Sequence, residues 1–205
     1  MQEQKAGTYM TNSRTDVEKQ LIDSFKELVM TTPVDKITIK EITDKAGVIR
    51  TTFYNHFQDK YEVIERILWQ EIIDPTRPLL ENNMVHETFV LIFKNVEKEK
   101  AFYQKLTRME GQNSFEQIVV QCIQKLLLEY MQARISPEGV RILKSRYRWL
   151  TMDLIAEYYA RAMTFVVMTW LQSGIETTPE EVARVYGDIL RRSLDDILGD
   201  LGCLK

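Results

Sequence analysis

Residues Thr38 to Lys60 read TIKEITDKAGVIRTTFYNHFQDK, and this stretch decides the fold. Thr38 followed by Glu41 is a capping box, in which hydroxyl and carboxylate each satisfy a backbone N–H of the first turn. Ile37 before the cap and Ile42 at the fourth helical position can form a hydrophobic staple. That helix can run only to about Lys45, because Gly47 supplies the left-handed residue that ends it. A second helix is predicted over roughly Ile49 to Asn55. Two helices around a short glycine-containing turn make a helix-turn-helix, whose second helix fits a DNA major groove.

The polar residues of the second helix suit that task. Arg50, Thr51, Thr52, Tyr54, Asn55 and His56 all donate to or accept from bases or phosphates. Ile42, Ala46, Val48, Phe53 and Phe57 can lock the unit onto its neighbours. By composition alone, the pattern also suits a capped helical pair in any α-domain, its polar residues merely solvated.

The stretch resembles the N-terminal domain of the TetR/AcrR family of bacterial transcription regulators. The matching residues are Thr38, Ile42, Ala46-Gly47-Val48, Thr52-Phe53-Tyr54, His56-Phe57 and Lys60, in the family's order and spacing. The match extends back to about Arg14. Ile49 stands where the family has a small polar residue, so it cannot cap the recognition helix. Thr51 stands where glycine is frequent and adds a side chain towards the groove. The resemblance implies phosphate or positioning contacts from Thr38, Lys40, Tyr54, His56 and Lys60. It implies base reading by Arg50, Thr51, Thr52 and Asn55.

The 205 residues are 44% hydrophobic and 28% charged, enough for a real core and against general disorder. No apolar run reaches the roughly 18 residues of a membrane span, and the first residues lack the apolar segment of a secretory signal. Two cysteines, Cys122 and Cys203, indicate no disulfide framework, so a reducing cytoplasm is the expected location. The net charge is −3, and residues 35–60 carry five cations against four acids. Positive potential must therefore be local.

The chain divides in this reading into a tail over 1–13, a DNA-binding domain over 14–73 and an all-α body over 74–205. Helix one is expected from Asp16 to Met30 behind a Thr15–Glu18 capping box, with Val17, Leu21, Phe25 and Leu28 as its apolar stripe. Arg14, just before it, suits phosphate, minor groove or plain solvation. Helix four runs from Asp59 to about Ile73, with Lys60 placed to share a phosphate with its N-terminal N–H groups. Pro75 and Pro78 mark the boundary. Body helices are expected over about 85–97, 100–109 and 113–133, the last capped by Asn113. One or two more cover 142–173, and a final helix runs from Pro179 to about Leu198 behind a Thr178–Glu181 box.

The last two long helices carry more apolar surface than one partner layer needs. Either they sit inside a monomeric bundle or they meet their copies across a two-fold interface. The resemblance implies the homodimer, with Phe165, Val166, Trp170, Val182, Tyr186 and Ile189 in the seam. It also implies a small-molecule pocket in the body. Candidates by residue type are Phe89, Phe93, Tyr103, Met109, Tyr130, Trp149, Met152, Tyr159 and Met163, with Arg146, Arg148, Arg161 or Glu157 as a polar end. The same residues at helical spacing suit plain core.

Nothing points to catalysis. His56 lies in the DNA motif and His86 stands alone; no metal-ligand spacing and no phosphate loop occur. No enzyme, metal or cofactor is expected. The function implied is a dimeric repressor released from a palindromic operator by an effector. The passage TWLQSGIETTPEEV is similar to regulators of dihydroxyacetone kinase operons, some of which respond to a partner protein. An activator whose body binds such a partner is therefore the alternative.

Overall fold

A computed structural model describes residues 3–146, 149–174 and 176–191, and every regular element among them is helical. Arg148 and everything beyond Arg191 lie outside the described residues. Contacts divide the chain into two compact units, Met1–Ile67 with Ala101–Ile118, and Leu68–Lys100 with Val119–Lys205. The first break falls at Ile67, ahead of the proline pair. Residues 101–118 join the first unit, which no local pattern could assign.

In the first unit, α1 spans Glu3–Thr31. The tail expected over residues 1–13 is thus helical from Glu3. Glu3, Gln4, Lys5 and Ala6 are good helix formers, and extending an existing helix is far easier than starting one. A 3-10 turn, Val34–Lys36, leads to α2, Ile39–Ala46. Then come α3, Arg50–Tyr54, and α4, Lys60–Ile67. Further along the chain, the first unit takes α7, Lys100–Leu106, from Ala101 on. Leu21, Phe25, Ile37, Ile42, Phe53, Phe57 and Ile64 are all buried, each contributing about 1.5–3 kcal/mol by leaving water. Tyr103 stacks on Phe115 with centroids 6.1 Å apart. Tyr103 and Met109, expected in a body pocket, are buried residues of this first unit.

The second unit opens with a π-helix, Leu68–Ile73, and a 3-10 turn, Asp74–Thr76. Next are α5, Arg77–Glu81, and α6, Val85–Lys98. Pro75 and Pro78 do not break the helical path: each sits in the first turn of its element, where a missing N–H costs nothing. The next helix, α8, spans Phe115–Arg134 and is shared between the units. Its cap is Ser114, whose hydroxyl accepts from the Gln117 N–H at 3.2 Å, one residue after the expected Asn113. Two helices fill the long apolar stretch, α9, Pro137–Arg146, and α10, Met152–Gln172. The Thr151 hydroxyl starts α10 by accepting the Leu154 N–H at 3.1 Å. Finally α11, Pro179–Arg191, is capped by Thr178.

The core of this unit is aromatic. Phe89 meets Tyr186 edge-on at 4.5 Å, and Phe93 meets Trp170 at 5.4 Å. This corrects half of the expected dimer seam. Trp170, Val182 and Tyr186 are 4%, 8% and 2% exposed. Trp170 and Tyr186 point at α6, and no second copy can reach such buried residues. The outward faces carry Leu154, Tyr158 and Phe165 on α10, and Val185 and Ile189 on α11. Trp149 is 76% exposed and Tyr159 is also exposed, so neither lines an enclosed pocket as expected. Tyr130 is half-buried and holds Arg134 over its ring at 3.8 Å. No helix among the described residues is long and apolar enough to cross a membrane.

Candidate nucleic-acid interface

The capping box at Thr38 is fully formed. Thr38 donates its N–H to Glu41 Oε2 at 2.8 Å and its hydroxyl to the same oxygen at 2.7 Å. The Glu41 N–H donates back to Thr38 Oγ1 at 3.2 Å. The backbone N–H and hydroxyl of Thr38 hold the Glu41 carboxyl below the usual range. At the other end Gly47 takes φ of 69°, where a Cβ would be strained, and turns the chain towards α3. The phosphate contact expected of Thr38 needs correction: its hydroxyl proton is committed to Glu41. Lys40 is exposed and pairs with Asp44 at 2.6 Å. Such a surface pair is weak and readily exchanged for a phosphate.

Ile49 does not cap α3 with its side chain. Buried Phe53 and Phe57 anchor the helix. On the other side Arg50, Thr51, Tyr54 and Asn55 are exposed, and Thr52 is half-buried. The structure thus brings the expected base readers to one surface. Arg50 donates from Nη2 to the Tyr54 hydroxyl at 3.1 Å. Arg14 donates to the Asn55 carbonyl at 3.4 Å, tying α1 to the end of α3. Arg14, Val17, Thr52, Asn55 and His56 line an open groove beside them.

Two expected phosphate contacts are used internally. The Lys60 ammonium donates to the carbonyls of Val34, Asp35 and Ile37 at 2.7, 3.0 and 2.9 Å. An ammonium has three protons, so none remains for DNA. Burial pushes its pKa down, opposed by Asp35, Asp59 and Glu41. The N–H groups of Tyr61 and Glu62 already donate to Asp59 Oδ1, at 2.8 and 3.0 Å, so the expected anion site at α4 is filled by a carboxylate. The His56 side chain is 6% exposed, and its Nδ1 lies 3.8 Å from Glu18 Oε2 on α1. It packs the segment just after α3 against α1 and also lines the open groove beside that helix.

One surface residue escaped the sequence reading. Ile49 is 71% exposed at the start of α3. An apolar side chain there suits a thymine methyl. Its departure from the small polar residue of the resembling family was the available signal.

The sequence model for bacterial regulatory proteins of the tetR family matches residues 21–67. A second, for a transcriptional regulator C-terminal region, matches residues 83–192, more than half the chain. The chain is 23% identical over 182 residues to the dhaKLM operon transcriptional activator DhaS of Lactococcus lactis subsp. lactis strain IL1403, covering 88% of this chain and 90% of that protein. It is 24% identical over 179 residues to the transcriptional repressor KstR2 of Mycolicibacterium smegmatis, covering 80% and 83%. It is 22% identical over 182 residues to YxbF, an uncharacterized HTH-type transcriptional regulator of Bacillus subtilis strain 168, covering 84% of this chain but only 44% of that protein's length. Among solved structures, a Syntrophomonas wolfei protein assigned to the TetR family superposes with a TM-score of 0.57 at 17% identity, over 84% of this chain and 91% of that one. The dihydroxyacetone kinase operon activator DhaS gives 0.50 at 20% identity, over 85% and 93%. At these identities the structures show the fold alone.

Proposed function

The chain belongs to the TetR family of bacterial regulatory proteins, and from that premise we propose that it is a homodimeric repressor of a palindromic operator, released by a small-molecule effector. Family membership makes it a DNA-binding transcription regulator, a class that is generally not enzymatic. The observation that carries the rest is the outward face of α3, where Arg50, Thr51, Tyr54 and Asn55 stand exposed over buried Phe53 and Phe57. A lone helix of five residues reads only a few base pairs, whereas two copies read two half-sites. The exposed apolar residues Leu154, Tyr158, Phe165, Val185 and Ile189 supply the seam, with half-buried Val166 beside them. The place of action is the bacterial cytoplasm.

The effector belongs to the second unit. Phe89, Phe93, Tyr130, Met152 and Met163 remain candidates there. Trp170 Nε1, Tyr186 Oη and Thr164 Oγ1 are buried without a hydrogen-bond partner. Leaving such groups unpaired is costly, and a polar effector would satisfy them. Burial alone pushes the Tyr186 phenol above its ordinary pKa, so it is a neutral donor.

Exposed Trp149, Tyr158 and Tyr159 support a second reading, in which the body binds a partner protein. DhaS, by its name an activator, gives that reading its sign. The test is selection of bound sequences from random duplexes, then a metabolite screen for release. A selected palindrome with metabolite-driven release is expected. A palindrome bound tightly only with an added protein would transfer the case to the second reading, and no selected duplex would refute both.

A further inference from the structure

We infer that the Tyr54 hydroxyl is a positioning group for Arg50, and that this pair sets the preference for a guanine in each half-site. The inference rests on the DNA-binding reading above and assigns a role within that site. Arg50 opens α3 and Tyr54 closes it, four residues on, so both lie on one face. Arg50 Nη2 donates to Tyr54 Oη at 3.1 Å, and the guanidinium carbon lies 5.6 Å from the ring centroid. The Tyr54 ring is itself held, edge-on against Phe53 at 5.6 Å and 86°. Phe53 is fully buried. A line of contacts therefore runs from the core through Phe53 and Tyr54 to an arginine in solvent.

That line matters because an exposed arginine is otherwise free. Binding must then freeze a long side chain, and part of the gain is lost as conformational entropy. Arginine carries five N–H donors in a rigid fork. One hydrogen bond to Tyr54 leaves enough for the paired bonds to guanine O6 and N7, the commonest specific contact in a major groove. A tyrosine that touches only phosphate carries no base information. A tyrosine that orients the reading arginine does.

The experiment compares base preferences of the full-length protein with Tyr54→Phe, Arg50→Ala and the double variant, by selection from random duplexes followed by competition binding. Phenylalanine keeps the ring and its contact with Phe53, and a thermal melt checks that α3 is retained. Arg50→Ala should abolish the guanine preference at one position per half-site, on the order of tenfold. Tyr54→Phe should relax that position by about three- to tenfold and leave the preferences elsewhere unchanged. In the Arg50→Ala background it should relax nothing further. A uniform loss across all duplexes, with a shallower salt dependence and intact guanine preference, would overturn the positioning role while leaving the DNA-binding reading standing. An unchanged base profile in Arg50→Ala would remove Arg50 as the reader and this inference with it. Failure to select any duplex would sink both.

Discussion

At Lys60 the side chain ends against three carbonyls of one turn, Val34 to Ile37. The Val34 oxygen also accepts the Ile37 N–H at 3.0 Å, and at this end of a 3-10 turn a charged donor satisfies the carbonyls better than water trapped at a half-buried site. Lys60→Met should cost about 2–3 kcal/mol in denaturant unfolding, since charge-assisted bonds are lost and carbonyls are stranded. The salt slope of DNA binding separates this role from a phosphate contact: it should stay constant, whereas loss of a phosphate contact lowers it by about one. Ile49 offers the opposite case, an apolar side chain 71% exposed on the reading surface. Ile49→Ala should leave stability within about 0.5 kcal/mol. It should weaken selection at one A·T position, read from the same duplex competition.

Among the elements, α2 is the best specified. Its start and stop are local, and the structure places them where the residues indicate, with Ile37 and Ile42 both buried. Thr38→Ala should destabilise the unit by about 1 kcal/mol, measured by chemical unfolding. Acid should have a related effect. The Glu41 carboxyl is held below its ordinary value of 4.5 in the folded protein. A depressed folded pKa means that its stabilisation is complete above the unfolded value and is lost as pH falls through the lower folded one. Glu41→Gln should therefore lower the neutral plateau and flatten the acid limb of the stability curve below about pH 4.5. By contrast α3 has no side-chain cap and only five residues. Packing of Phe53 and Phe57, not local propensity, holds it.

For the whole molecule, the decisive question is which apolar residues face a second copy. Phe165 is 69% exposed on α10 and Trp170 is 4% exposed on the same helix. Phe165→Glu should yield a monomer in sedimentation that melts as a folded protein and binds operator poorly. Trp170→Glu should instead lower stability by about 3–5 kcal/mol or more, because it removes the contact with Phe93 and buries a charge. An unchanged dimer in Phe165→Glu would place the seam elsewhere. Residues such as Thr38, Gly47 and Thr178 act over three or four positions along the chain, so both ends of α2, the start of α11 and the helix-turn-helix were already determined by the sequence. Its period also marked α10 and α11 as unusually apolar. It could not say which side of α10 meets α6, that Tyr103 and Met109 belong with the first unit, or that Lys60 and His56 turn inward. Those outcomes depend on partners tens of residues away, and only the packed chain brings a lysine ammonium to carbonyls 23 to 26 positions earlier.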